Sequence, residues 1–392
     1  MKKTPKTISL SALPFYWRVK DHPSDPSPVP RRLPLELTYD DELRLFKQKR
    51  NVNVLKYLSV VYQKKPNIGH NQDKSNWKDY YGNDLYRFIR DTIKKNGNKV
   101  KTILEIGCGG CAVLERLKGR KFSVLGVDPS PFSREEGAKK AIRVIQDFFP
   151  SKQIKEKFDL IYHSNVLEHI DNPLEFLKSQ YEHLNTGGLL LVAVPDCTRP
   201  IENGDSSFLY HQHLSYFDEN SLKTIVLLAG FSNVKVRKAK FGGNLYCESV
   251  KSVRNNSRKN LFFRKSSMTL STFLNKHNVM FTRFAYEITG VLRDPEKTLG
   301  FYAPLRALPY ISEMHLRNGF RFFDDTNYWH KKYFDGLDVP FENFNDFKRN
   351  PVTDIFIMSP TFGKMITDKI KNTFGKKVRI HKITDFYAKS AK

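Results

Sequence analysis

The sequence predicts an α/β protein: a parallel sheet with crossover helices, followed by a second, smaller α/β domain at the C-terminal end. Three observations carry this. Between Val100 and Val250, short β-rich runs alternate with helical segments, the pattern of strands joined by crossover helices. From about Thr298 a second α/β rhythm begins. At 392 residues, with 40% hydrophobic and 13% aromatic residues, the chain is long enough for more than one globular core.

Four segments follow. Residues 1–84 open with Pro5, Pro14, Pro23, Pro26, Pro28, Pro30 and Pro34, which fix extended backbone and predict a wrapping arm. Helical spacing of Leu43, Phe46, Val52, Leu55 and Leu58 predicts a capping helix over residues 39–62, and another runs from Asn83 to Lys95. In residues 85–250 the predicted strands are Thr102 to Ile106, Ser123 to Val127, Phe158 to His163 and Leu189 to Val194. Strands Phe231 to Lys238 and Asn244 to Ser249 close the sheet after a helix from Ser221 to Leu228.

Residues 251–295 carry Arg254, Arg258, Lys259, Arg264 and Lys265, then an amphipathic helix through Leu274, Phe281, Phe284 and Ile288, read as a connector. In residues 296–392 the expected strands are Thr298 to Tyr302, Phe320 to Phe323, Asp354 to Met358 and Lys377 to Ile383. Helices are expected near Ala307 to Leu316 and from Gly363 to Thr373.

No apolar run reaches bilayer length, the longest being Leu189 to Val194. Lys2, Lys3 and Lys6 lead into no apolar stretch with a cleavage site, which predicts a cytoplasmic protein. Four cysteines suit a reducing compartment. Cys108 and Cys111 form a C-x-x-C without a second pair at zinc-finger spacing, so small-residue packing is expected rather than metal. The formal charge of +25 would attract phosphate-rich partners. Because Lys and Arg are scattered throughout, anionic small substrates explain it better than a nucleic-acid footprint.

After the strand Thr102 to Ile106 come Gly107, Cys108, Gly109, Gly110 and Cys111, then a helical run. Glycine suits a sharp turn whose backbone must lie against a ligand. Glu105 just before it would attract the cationic amino end of S-adenosylmethionine and repel a pyrophosphate. Asp128, closing the next strand, can accept hydrogen bonds from ribose hydroxyls. Asp147 and Phe148 follow the apolar run Ile142 to Ile145, placed to bond the adenine amino group and cover its face. Together these predict S-adenosylmethionine as cofactor, held by Glu105, Gly107, Gly109, Gly110, Asp128, Asp147 and Phe148.

On these residues the chain resembles the class I methyltransferases, whose fold is Rossmann-like. FDLIYHSNVLEHIDNP from Phe158 to Pro173 looks like their fourth-strand motif, and LNTGGLLLVAVP from Leu184 to Pro195 like their fifth strand. Cys111 stands where their third glycine is usual. FLYHQHLSYF from Phe208 to Phe217 resembles a stretch of the sugar C-methyltransferases, and Gly242-Gly243-Asn244 matches their Gly-Gly-Ser. Their C-terminal Rossmann-like domain is echoed by Phe301 to Pro304, Phe323 to Thr326 and Phe334 to Pro340. The family's N-terminal zinc-binding cysteines are absent, and its glutamate beside the second histidine is Gln212 here.

The resemblance implies methyl transfer to a sugar, bound as a nucleotide-linked 4-keto sugar in glycan or deoxysugar synthesis. His213 would be the general base, Tyr210 and His169 would hold the sugar or its enolate oxygen, and Gln212 would orient. His211 and His213 are expected on one face of an extended segment, with no carboxylate or third ligand at a spacing that suits a metal, so none is expected. Glu168 reads as a capping or orienting residue. The same geometry could methylate an oxygen, so a sugar O-methyltransferase remains an alternative. So do a nucleic-acid methyltransferase and an inactive S-adenosylmethionine-binding protein. Against the nucleic-acid reading, Ser164-Asn165-Val166-Leu167 stands where an Asn-Pro-Pro-Tyr-type base-flipping motif would be.

Overall fold

Seven strands build the sheet that dominates the centre of the chain, in a computed structural model that describes residues 7–15, 19–63, 77–97, 99–120, 122–252 and 269–387. Numbered in chain order, strands β1 (Ile8–Pro14), β2 (Arg32–Asp40) and β3 (Leu45–Gln48) come first. The sheet itself uses β4 (Thr102–Ile106), β5 (Ser123–Val127), β6 (Arg143–Ile145), β7 (Phe158–Ser164) and β8 (Leu184–Pro195). After the short β9 (Ser215–Tyr216) it is completed by β10 (Ser232–Lys238) and β11 (Asn244–Val250). Their order is β10-β11-β8-β7-β4-β5-β6. Pairing is parallel from β6 to β8 and antiparallel at β11 and β10.

The chain winds outward from β4 in one direction through β5 and β6 and in the other through β7 and β8. The crevice beyond the carboxyl ends of β4 and β7 is therefore the switch point where open α/β sheets bind ligands.

Burial on both faces explains the near-continuous apolar runs of these strands. Alternation along β4 sends Leu104 and Ile106 into one layer and Ile103 into the other. The first layer takes Phe176 and Leu177 from the helix Pro173–His183 and Leu222, Ile225 and Val226 from the helix Glu219–Leu228. The second takes Leu85, Phe88, Ile89 and Ile93 from the helix Trp77–Lys95 and Val113, Leu114 and Leu117 from the helix Ala112–Lys118.

The chain divides into two compact units: residues 40–197 with 212–266, holding this sheet, and residues 1–39 with 198–211 and 267–392. In the second, β1 pairs antiparallel with β2. A five-stranded parallel sheet uses β12 (Leu299–Tyr302), β13 (Phe320–Phe323), β14 (Phe341–Glu342), β15 (Asp354–Ile357) and β16 (Arg379–Lys382), in the order β14-β13-β12-β15-β16. The helix Leu270–Arg293 buries Phe273, His277, Met280, Phe284, Ile288 and Val291, a stripe at three- and four-residue spacing. Expected Leu274 and Phe281 are only partly buried, a shift of the stripe around the axis. Arg254, Arg258, Lys259, Arg264 and Lys265 lie outside the described residues.

One expected element is corrected. The helix over residues 39–62 exists only as Val52–Gln63, while Leu43 precedes β3 and Phe46 lies within it. A strand that buries both faces carries apolar residues at any spacing, so helical periodicity misreads it. Among the described residues no helix is long and apolar enough to cross a membrane.

Candidate active site

The loop after β4 is shaped by positive-φ backbone. Gly107 has φ +72° and Gly109 φ +47°, conformations open to glycine without a Cβ penalty. A Cβ on Gly107 would stand 2.5 Å from Val166 Cγ2, so this glycine also lets the loops after β4 and β7 approach each other. A Cβ on Gly109 would meet open space, so here the bare backbone faces outward. Cys111, at the position of the missing third glycine, adopts φ +58° all the same. The departure is thus absorbed by strain that costs about 1–2 kcal/mol for a residue with a Cβ. Cys108 and Cys111 are buried free thiols packed in the second layer. Gly126 on β5 makes room for Cys108, since a Cβ there would lie 2.6 Å from its Sγ.

Glu105 is 6% exposed and pairs across the sheet with Gly126 and Tyr162. Burial, then the charge of Glu105, holds the Tyr162 hydroxyl well above the usual tyrosine pKa. Asp128 accepts the Gly109 N–H at 3.0 Å and the Ser130 N–H at 2.8 Å, clamping the loop to the end of β5. Each carboxylate oxygen keeps a second lone pair, so a ribose hydroxyl can still be accepted. Asp147 accepts from Phe148 N–H and the Ser151 hydroxyl at 2.8 and 2.7 Å, and the Phe148 ring is 42% exposed.

The residues expected to hold the cofactor therefore cluster at the carboxyl ends of three adjacent parallel strands, β4, β5 and β6. An outward-facing glycine backbone, a buried carboxylate and an exposed aromatic ring fit S-adenosylmethionine. When bound, it would supply an electrophilic methyl on a sulfonium.

A second group of residues gathers past the end of β7. Glu168 and His169 lie on the short 3-10 turn Leu167–His169. Leu214 N–H donates to Glu168 C=O at 2.7 Å and Gln48 N–H to Leu214 C=O at 2.9 Å, which ties β3 and the start of β9 to that turn. His213 is brought beside it, its backbone carbonyl accepting from the Gln48 side chain. The His169 and His213 rings meet edge to face at 4.9 Å. Glu168 Oε1 is 3.7 Å from His169 Nε2 and 4.0 Å from His213 Nε2. Tyr62 stands edge-on to His169 at 6.0 Å and Tyr216 lies 6.4 Å from His213.

Burial pushes the Glu168 pKa up to about 8 and that of His169 down to about 4, so both favour their neutral forms. His169 Nδ1 is 2.8 Å from the Gln212 carbonyl.

Two expectations change here. His211 and His213 do not share a face, because the chain turns at His211 and Gln212. His211 instead bonds the Leu33 carbonyl at 3.0 Å and packs on Phe15. Tyr210 and His211 belong to one unit, Gln212 and His213 to the other. The carboxylate missing from the histidine segment is supplied from elsewhere: Glu168, His169 and His213 bring one donor atom each within 4.8 Å of one another, the place among the described residues where a metal ion could be drawn in. The Glu-His pair in LEHIDNP was the available signal, but only the backbone bond from Leu214 to Glu168 reveals that it lies beside His213.

Residues 81–236 match a family described as a methyltransferase domain. The ubiquinone biosynthesis O-methyltransferase of Schizosaccharomyces pombe is 32% identical over 102 residues, 24% of this chain and 37% of that protein. That of Glaesserella parasuis is 31% identical over 118 residues, 27% and 49%. The chain thus spans half or less of the length of these relatives. Among solved structures, an S-adenosylmethionine-dependent methyltransferase from Clostridium acetobutylicum aligns with a TM-score of 0.39 at 14% identity, over 47% of this chain and 98% of that one. Residues 81–236 thus combine a Rossmann-like strand order with a match to a methyltransferase domain.

Proposed function

We propose that the protein transfers the methyl group of S-adenosylmethionine to a sugar, bound as a nucleotide-linked sugar in cytoplasmic glycan or deoxysugar synthesis. The observation that carries this is the pair of imidazoles, His213 buried and His169 partly buried, 4.9 Å apart in the same unit as the glycine loop. An imidazole is suited to taking a proton near neutral pH. The resemblance of FLYHQHLSYF supports the sugar.

For methylation at carbon, His213 takes the proton next to a ketone, His169 holds the sugar or enolate oxygen, and Gln212 orients through the backbone carbonyl that accepts from His169. Glu105, Asp128, Asp147 and Phe148 hold the donor. For methylation at oxygen, the same imidazoles take a hydroxyl proton, and the O-methyltransferase names of the curated relatives support this second reading. The excess of Lys and Arg suits the diphosphate of such a substrate.

The test is incubation with methyl-labelled S-adenosylmethionine and either nucleotide-linked sugars, 4-keto forms included, or total RNA. Label in the sugar fraction is expected. Label in RNA alone overturns the reading.

A further inference from the structure

Glu168 is a buried ionisable group to which the reaction above gives no part. It is 2% exposed, and neither carboxyl oxygen has a hydrogen-bond partner in the protein, a costly arrangement unless something else enters. Among the described residues, the ionisable groups set around it are the imidazoles of His169 and His213, with Tyr62 6.0 Å from the first and Tyr216 6.4 Å from the second. Held neutral by burial near pH 7, its carboxyl offers one O–H donor.

His169 is fixed in the opposite sense. A carbonyl can only accept, so the 2.8 Å contact with Gln212 places the ring proton on Nδ1. The ring is neutral at pH 7, and Nε2 therefore presents a lone pair toward Glu168. A donor and an acceptor thus face each other across 3.7 Å, too far for a direct bond and right for one atom between them. With His213 Nε2 at 4.0 Å, the three groups form a triangle. The three donor atoms lie within 4.8 Å of one another, so an oxygen standing above the plane of the triangle can reach all three at about 2.7–2.8 Å. A metal, at about 2.0–2.2 Å from each donor, would instead sit close to that plane.

We propose that Glu168, His169 and His213 together receive one hydroxyl oxygen of the methyl acceptor, so that the substrate is an alcohol and the methyl goes onto oxygen. This rests on the methyl-transfer reading above and narrows it. A hydroxyl matches the triangle because it can accept from Glu168 and donate to His169 Nε2 at once. A ketone or enolate oxygen has no proton to give and would face that lone pair. In the step itself, His169 Nε2 takes the hydroxyl proton as the O–C bond forms and the S–C bond breaks, its electron pair staying on sulfur. The proton then leaves to solvent, while Glu168 keeps its own and remains the donor to the ether oxygen of the product.

The test uses the full chain with S-adenosylmethionine and two probes, UDP-glucose, which offers hydroxyls alone, and a dTDP-4-keto-6-deoxyhexose. NMR of the product should show a methoxy group from either probe. Glu168→Ala should lower kcat about 100-fold with cofactor affinity unchanged. Wild-type kcat should fall above about pH 8 as Glu168 loses its proton. Glu168→Gln, whose amide donates at every pH, should keep its activity there, a difference that a merely structural role would not produce. A C-methyl product overturns the proposal. So does activity that is lost to EDTA and restored by a divalent cation.

Should neither probe accept a methyl, the pocket is read directly in the cofactor-loaded protein by imidazole 15N and carboxyl 13C NMR. His169 as the Nδ1–H tautomer and a protonated Glu168 at pH 7 sustain the proposal, and the Nε2–H tautomer or an ionised Glu168 sinks it. Transfer to RNA alone would remove the sugar reading while these spectra still decide the pocket.

Discussion

The loops that leave β4 and β7 sit side by side, touching where Gly107 leaves room for Val166, yet they handle their polar groups in opposite ways. After β4, the Gly109 and Ser130 N–H groups are both taken up by Asp128, and the chain supplies its own partners. After β7, Glu168 is buried with both carboxyl oxygens unbonded, although the turn carrying it is pinned by a 2.7 Å backbone bond from Leu214. The first loop is finished before any ligand arrives. In the second, the backbone and His169 Nδ1 are bonded, while the Glu168 carboxyl awaits a partner. Such a division suits a cofactor that must dock in one pose and a reacting group whose hydrogen bonds are best formed when the acceptor is present.

The largest effect expected from breaking this contrast is on the β7 side. His169→Ala and His213→Ala should each lower turnover by about 100- to 10,000-fold, the usual range for losing an acid–base group. S-adenosylmethionine affinity, measured by titration calorimetry, should stay at the wild-type level, because no cofactor contact is assigned to either ring. Turnover at the wild-type level in both variants would remove the imidazoles from the mechanism. A parallel fall in cofactor affinity would mean the two loops are one site rather than two.

Next in size is the contact between the loops. In Gly107→Ala the new methyl must share space with Val166 Cγ2, 2.5 Å away, at φ +72°. Backbone strain of this kind costs about 1–3 kcal/mol, and the clash adds to it. Thermal unfolding should show a clear loss of stability, and cofactor affinity should fall with it. The double variant Gly107→Ala, Val166→Ala should recover most of the clash and none of the φ strain. Recovery of neither would show that Val166 is not what Gly107 accommodates.

The same contrast explains what the sequence revealed. The parallel sheet was legible because its strands are buried on both faces and bounded by turns, and β4, β5 and β13 begin and end where the residues predict. The glycine loop and Asp128 were legible because their chemistry is local: β-strand, glycines, then an acid about twenty residues on. Locality fails for β9 and β3, strands of only two and four residues. Nothing in Leu45–Gln48 announces that it will pair with a strand about 170 residues away.

The backbone bond from Leu214 N–H to the Glu168 carbonyl sets Glu168 beside His213, so the triangle is a product of tertiary structure. No carboxylate stands beside the second histidine in sequence, where Gln212 is, and Glu168 reaches it only through the fold. His211 shows the converse: two residues from His213 in sequence, it serves a different unit.

The smallest of these effects tests whether the β4 loop is finished in the sense argued here. Asp128→Ala removes the acceptor for two backbone N–H groups and, on the reading above, for a ribose hydroxyl. Cofactor binding should weaken by about 1–3 kcal/mol, the range for hydrogen bonds to a charged partner, or roughly 5- to 150-fold in Kd. Asp128→Asn separates the two contributions. Its amide keeps one acceptor oxygen, for either Gly109 or Ser130, and turns an N–H donor toward the other. If the carboxylate acts mainly by clamping the loop, Asn should lose nearly as much affinity as Ala and lower the thermal midpoint too. If ribose recognition dominates, Asn should fall between Ala and wild type with its stability intact, since an amide can still engage a hydroxyl as donor or acceptor. Wild-type affinity in Asp128→Ala would contradict both, and would mean that the loop holds its shape through its glycines alone.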